Sequence, residues 1–254
     1  MLQAIRTVIA TGHFLIICTY ALIYCLLFPR RLDSTQRLAS MMSWVLPVLG
    51  VRFKAKRELP VSDNQQVVYV INHQDTLDVF ICSAMLPPKI AMLGKSQLKY
   101  IPVFGLAFWL AGNIYIDRGD KSKAWEVMAS VARKIKRRGC SLYMFPEGTR
   151  SRGRGMLPFK SGAFALAISS GLPIVPIVFS STHKNIDLNC WYSGMCLGEY
   201  LDPIATNGLT EADIKPLMDE ARNRMLAAQE RLDREIEEAQ AKPQGFMEYY
   251  KVLR

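Results

Sequence analysis

The stretch Val67–Phe80, VVYVINHQDTLDVF, decides the fold. Its first five residues are apolar and mostly β-branched, the signature of a buried strand. The run stops at Asn72–His73. A second apolar run, Leu77, Val79, Phe80 and Ile81, then opens a helix. Asp75 stands at the capping position, and Asp78 three residues on is placed as its capping-box partner. His73 therefore falls in a strand-to-helix turn, where rigid neighbours position exposed side chains. His73 and Asp78 are five residues apart, about 140° around a single helix at 3.6 residues per turn. They can meet only if the chain turns between them, and this turn permits it. The functional reading is a His–Asp dyad. An ionised Asp78 accepts from one ring nitrogen and leaves the other free to take a proton from a hydroxyl. The bland reading is a surface histidine beside a helix-capping aspartate.

Outward from this stretch, strand-like runs recur at 90–93, 114–116, 141–145 and 174–179, with helical patterns between them. That alternation implies an α/β domain with a mostly parallel sheet flanked by helices. Such sheets place their sites at the carboxyl ends of strands, where His73 falls. Residues 123–138 form an amphipathic helix that Gly139 ends, with basic residues in its last turn. A further strand is expected at 195–200 and a charged amphipathic helix at 211–240. Pro176 interrupts the run 174–179, which points to an edge strand or a bulge.

The N-terminus is different in kind. Val8–Phe28 is a 21-residue run with almost no charge. At 1.5 Å per residue it reaches about 31 Å, close to a bilayer's hydrocarbon thickness. It lacks a small-residue cleavage site and reads as a retained anchor. Residues 38–51 are apolar but too short to span, and read as interfacial or re-entrant. Two topologies are open: a single span with the Arg30, Arg31 and Arg37 side cytoplasmic, or a helical hairpin in one leaflet. The expected division is 1–51 as membrane-anchoring helices, 52–241 as the catalytic α/β domain, and 242–254 as a tail.

Half of the 254 residues are hydrophobic and 21% are charged, with a net charge of +10. The basic balance favours an anionic partner, and with this N-terminus an anionic membrane; no nucleic-acid motif is visible. The six cysteines make no CxxC pair and read as reduced. Three scattered histidines argue against a His-rich metal site, and none is expected.

The strand at 141–145 runs into Pro146-Glu147-Gly148-Thr149-Arg150-Ser151-Arg152-Gly153-Arg154-Gly155. Gly-rich backbone can turn N–H groups towards an anion, and arginines grip phosphate with two donors each. Glu147 would orient an arginine or accept from a substrate hydroxyl, and Lys160 adds a positive charge. The alternative is a flexible basic loop. Arg118, after the strand at 114–116, is on its own a turn arginine.

Four segments in this order, NHQDTLD (72–78), GNIYIDRGD (112–120), FPEGTRSRGRG (145–155) and LPIVPIVF (172–179), resemble the glycerolipid acyltransferase family. The resemblance is specifically to bacterial 1-acyl-sn-glycerol-3-phosphate acyltransferases and covers roughly residues 1–200. Within the first block, Gln74 to Leu77 fall at variable positions. The resemblance implies transfer of a fatty acyl group from acyl-CoA or acyl-carrier protein to the sn-2 hydroxyl of lysophosphatidate. It implies His73 and Asp78 as catalytic, and Arg118, Gly148, Thr149 and Arg150 on the acceptor phosphate. Glu147, Lys160 and Pro176 would support substrate binding. No cofactor or metal is implied, since a thioester is already activated. The implied location is the bacterial inner membrane with the catalytic domain on the cytoplasmic side. Rivals are another acceptor, glycerol 3-phosphate or another lysophospholipid, a thioesterase-like hydrolase, and a non-catalytic membrane-binding protein.

Overall fold

The structure, a computed structural model, describes residues 1–116 and 124–241. The helices are α1 (Leu2–Leu27), α2 (Ser34–Ser40), α3 (Asp78–Ile81), α4 (Phe104–Leu110), α5 (Ala124–Arg138), α6 (Gly162–Ser170), α7 (Thr182–Asn185) and α8 (Ile214–Ala241). The strands are β1 (Val51–Ala55), β2 (Val68–Ile71), β3 (Ile90–Lys95), β4 (Ile114–Ile116), β5 (Ser141–Met144), β6 (Ile174–Phe179) and β7 (Gly194–Tyr200). They form one sheet of order β1-β7-β6-β2-β5-β3-β4. Neighbours are parallel except β6 and β7. This is the mostly parallel, helix-flanked α/β sheet expected from the alternation.

Every residue of β2, β5, β6 and β7 is buried, which explains their unbroken apolar runs: helices cover both faces. Strand residues nevertheless divide by parity between two cores. Val68, Val70, Leu142, Met144, Ile174 and Val178 face α5, α6 and α8. Tyr69, Ile71, Tyr143, Val175, Ile177 and Phe179 face the other way. They pack there with Ala10, Ile17 and Cys18 of α1, with Met42, Val45, Leu46 and Leu49, and with Phe80 and Ile81. The N-terminal segment is thus one wall of the second core. β1 starts at Val51, so the first strand begins at the last residue of the expected anchor.

Both ends of α1 are tied to the domain. Arg6 bonds the 188–193 loop, and just past the helix the Arg30 N–H donates to Leu110 O at 2.7 Å. The helix therefore lies along the domain, its outward residues exposed.

Pro176 lies on a central strand, paired with Val70 of β2, so the edge reading is wrong, and β6 itself carries no bulge; the extra residue is in the segment facing it. Ile177 pairs Tyr200, but Ile174 pairs Ile204. Three residues, 201–203, therefore stand opposite two, Val175 and Pro176. The missing proline N–H falls in that interruption, while Pro176 O still accepts from Leu201 N at 2.9 Å.

Chain direction makes the site. The chain leaves β2 for β3 on one side and leaves β5 for β6 on the other. The carboxyl ends of adjacent β2 and β5 are therefore a topological switch point, where a crevice opens.

Candidate active site

At the end of β2 the two aspartates bond the turn itself, but the N-cap of α3 is Leu77 with no side-chain cap, so Asp75 is not the helix cap that the sequence suggested. Asp75 Oδ1 accepts from Leu77 N at 2.6 Å, and Asp78 Oδ2 accepts from Asp75 N at 3.3 Å. Regular α-helix nevertheless begins only at Asp78, lasts one turn, and gives way to a 3-10 segment at Cys82–Met85. The tight turn folds His73 back over the helix start. His73 Nδ1 lies 2.6 Å from Asp78 Oδ2. The same oxygen accepts from Gln74 N at 2.6 Å. Asp78 is buried, while the His73 ring keeps 19% of its surface open. Burial pushes the Asp78 carboxyl above its ordinary value; the His73 ring and the Gln74 N–H pull the other way.

The loop after β5 packs directly on this turn. Ser151 N donates to His73 O at 2.9 Å and Arg152 N to Gln74 O at 2.8 Å. The Phe145 ring stacks on the His73 ring with centroids 4.1 Å apart. Glu147 is 2% exposed. One of its oxygens accepts from His73 N at 2.7 Å and the other from Leu157 N at 2.9 Å. Among the described residues no arginine pairs with it, so the arginine-orienting reading is not what the structure shows. Glu147 is a clamp between two loops, and burial raises its carboxyl above the usual value, against the pull of those N–H donors.

Arg150 is brought to the dyad's own turn: its Nη1 donates to Thr76 Oγ1 at 3.4 Å. Gly148 has φ +69°, a left-handed conformation that lets the loop double back beside it. Thr149 and Lys160 are exposed on the same segment, and Lys160 N donates to Pro146 O at 2.8 Å. Pro176 is buried within β6, away from solvent. Arg118 lies outside the described residues. Among the described residues, no group of three or more metal-ligating His, Cys, Asp or Glu side chains comes together.

The structure adds residues that the motif reading passed over. Gln74, read as variable, is buried and pinned. Its Nε2 donates to Ser180 O at 2.8 Å and its Oε1 accepts from Thr182 N at 2.9 Å. Asp75 Oδ2 accepts from Thr182 Oγ1 at 2.8 Å. Asp233 of α8 accepts from Ser181 N at 2.7 Å and from Asn185 Nδ2 at 3.1 Å. The turns after β2 and β6 are thereby locked together, with α8 behind them. Spacing along the chain carries no sign of these partners, which are more than a hundred residues from Gln74 and Asp75.

Chemically, the arrangement offers a ring nitrogen with a buried carboxylate behind it, an aromatic ring against it, and a guanidinium close by. Known proteins resemble this chain accordingly. Residues 50–180 match the family model described as Acyltransferase. The chain is 35% identical over 241 residues to the 1-acyl-sn-glycerol-3-phosphate acyltransferase of Escherichia coli (strain K12), covering 95% of this chain and 98% of that one. It is 37% identical over 238 residues to the same-named protein of Haemophilus influenzae, covering 93% and 98%. It is 36% identical over 220 residues to the human alpha form, covering 85% and 77%. The crystal structure of the 1-acyl-sn-glycerophosphate acyltransferase from Thermotoga maritima superposes with a TM-score of 0.62 at 19% identity, covering 94% and 98%. At that identity it shows a shared fold.

Proposed function

The chain belongs to the acyltransferase family, and from that premise we propose that it moves a fatty acyl group from acyl-CoA or acyl-carrier protein to the sn-2 hydroxyl of 1-acyl-sn-glycerol 3-phosphate, giving phosphatidate. The observation that carries the reading is the 2.6 Å contact between His73 Nδ1 and Asp78 Oδ2. With Asp78 ionised, Nδ1–H donates to it and Nε2 is the base. Nε2 takes the proton as the hydroxyl oxygen attacks the thioester carbonyl carbon. The tetrahedral oxyanion then collapses, the C–S bond breaks, and the leaving thiolate takes the proton from the imidazolium. Asp78 stabilises that imidazolium without itself being protonated, a two-member form of the serine-protease logic. Stacking on Phe145 and the clamp of Glu147 hold the ring where attack needs it.

Arg150, with Gly148, Thr149 and Arg118, is assigned to the acceptor's phosphomonoester. The support is the contact that sets Arg150 beside Thr76, two residues from Asp78. Membrane association follows from α1, which is long and apolar enough to cross a bilayer and mostly unburied. Because both ends of α1 bond the domain, we infer that it lies within one leaflet, and we assign that leaflet to the cytoplasmic side of the inner membrane. A lipid acceptor could then enter from the same layer.

The test is thiol release from an acyl-CoA by purified, detergent-solubilised protein, with and without lysophosphatidate, beside His73→Ala. Acceptor-dependent release that the variant lacks is the expected result. Acceptor-independent release would replace the transferase with a hydrolase.

A further inference from the structure

An arginine on an apolar helix calls for an account. Arg6 of α1 is 5% exposed. Its Nη1 donates to the carbonyls of Leu188 (2.9 Å) and Cys190 (2.5 Å) and to Ser193 Oγ (2.6 Å). Its Nη2 donates to the carbonyl of Trp191 at 2.7 Å. Among the described residues no carboxylate pairs with it. One cation thus gathers three carbonyls and a hydroxyl from a single loop.

That loop is held from inside at several further points. Ser193 N donates to Gly50 O at 2.9 Å and Ser193 Oγ to Leu49 O at 2.6 Å. Asn189 Nδ2 donates to Gln3 Oε1 at 3.0 Å. The Asp187 carboxylate is turned to its own loop, accepting from Asn189 N at 2.9 Å. A Cβ at Gly50 would stand 2.5 Å from Arg6 Nη2 and 2.6 Å from Trp191 O, so the clamp requires glycine there. A loop so firmly rooted nevertheless turns Trp191 outward at 75% exposure and Tyr192 at 47%.

The display is part of a pattern. The three tryptophans whose side chains are described, Trp44, Trp109 and Trp191, are all exposed, although tryptophan is highly buried on average. Trp191 hangs from the N-terminal end of α1 through Arg6. Trp109 sits at the other end, under the Arg30 guanidinium at 4.5 Å. Between them α1 presents Ile5, Val8, Ile16, Ile23 and Leu27 outward. An apolar face flanked by indoles matches the profile of a membrane, apolar within and amphipathic at its boundary. The net charge of +10 suits an anionic leaflet.

We propose that the Trp191–Tyr192 loop is a second membrane contact, seated in the headgroup layer of a phospholipid bilayer at the N-terminal end of α1, with Arg6 as its positioning residue. It rests on the reading of α1 as a membrane-contacting helix. A contact beside α1 stops the domain from rolling about the helix axis, which the helix alone leaves free.

The experiment uses the full chain with Trp44, Trp109 and Trp125 changed to Phe, bound to phosphatidylethanolamine–phosphatidylglycerol vesicles. The lipids carry bromine at carbons 6,7 or at 11,12. Trp191 emission is expected to shift to the blue and to be quenched more by the shallow bromines. Solvent-like, unquenched emission from protein that floats with the vesicles overturns the loop contact and leaves α1 standing. Trp191→Ala with Tyr192→Ala is expected to weaken vesicle partitioning by about tenfold or more, with thiol release on detergent-dispersed acceptor unchanged. Unaltered partitioning overturns the proposal, as does protection of Trp191 in a dimer without lipid. Arg6→Gln is expected to reduce Trp191 quenching while α1 still binds; full quenching in that variant removes the positioning role.

Discussion

At the residue scale, the dyad combines a base that must reach substrate with an acid that must not. His73 keeps an open edge and Asp78 is sealed. Removing the base in His73→Ala should lower kcat by roughly 10²–10⁴, the usual range for general-base catalysis, with the protein still folded by circular dichroism. Arg150→Ala should act differently, raising the acceptor KM on the order of 10–100-fold from the ~1.5–3 kcal/mol of a hydrogen bond to a charged group. Steady-state kinetics with varied lysophosphatidate separates the two. Burial also gives Asp78 a pH signature. Its folded pKa lies above its unfolded value, so the native state holds the proton longer. Wild-type stability therefore falls as pH rises from the unfolded carboxylate value through the folded one. Asp78→Asn has no such group. Its stability relative to wild type should thus improve from about pH 4 towards neutrality in urea melts, even as its turnover collapses. A difference independent of pH would mean that Asp78 does not feel this burial.

At the element scale, the positions of short turns matter more than the long helices. The 104–110 helix starts where Gly105 passes the preceding 3-10 turn, and a Cβ there would stand 2.4 Å from Lys99 O. Gly105→Ala should lower the melting temperature by several degrees, since backbone cannot move aside cheaply. Glu147 shows the same economy in the catalytic loop, each oxygen joined to a different backbone N–H. Glu147→Gln keeps one acceptor and turns the other into a donor facing an N–H. Kcat should fall while the acceptor KM changes little in steady-state kinetics, because whichever contact is altered, to His73 N or to Leu157 N, is to backbone and not to phosphate. How much of this was legible differs by element. The strands β2, β4 and β6 read directly from their apolar runs, and Gly139 marked the end of α5. β1 did not, because VRFKA is short, has two basic residues in five and is partly exposed. Gln74 did not, because its hydrogen bonds lie on β6's far turn.

At the scale of the whole molecule, the sheet is a wall between two unequal environments. One face carries α5, α6 and α8; α6 is almost wholly buried, and the exposed positions described on α5 and α8 are mostly charged or polar. The other carries the N-terminal segment, whose helix α1 exposes mostly apolar side chains. His73 stacks on Phe145, which packs against this second core. α8 is remote from the dyad but completes the first core through Leu217, Met225, Leu232 and Ile236. Its Asp233 anchors the turn that holds Gln74. Leu232→Ala should cost about 2–5 kcal/mol by cavity formation, read as a loss of thermal stability. Asp233→Asn should act on turnover more than on melting, because it loosens the 181–185 turn behind the catalytic segment.

The sequence by itself determined the α/β class, the carboxyl-end placement of His73, the pairing of His73 with Asp78 as an arrangement the turn permits, and the family. These are properties of apolar runs, short spacings and motif order, all local in the chain. Only the tertiary structure decided that α1 lies along the domain with both ends bonded to it, and that Pro176 sits on a central strand opposite the extra residue of the 201–203 segment. The same holds for Glu147, which clamps backbone, and for Gln74, which is locked in place. Each of these depends on which distant segment arrives opposite. A hydrogen bond between residues 74 and 182 leaves no periodic trace in either segment, because what selects it is the packing of the sheet that brings the two turns together.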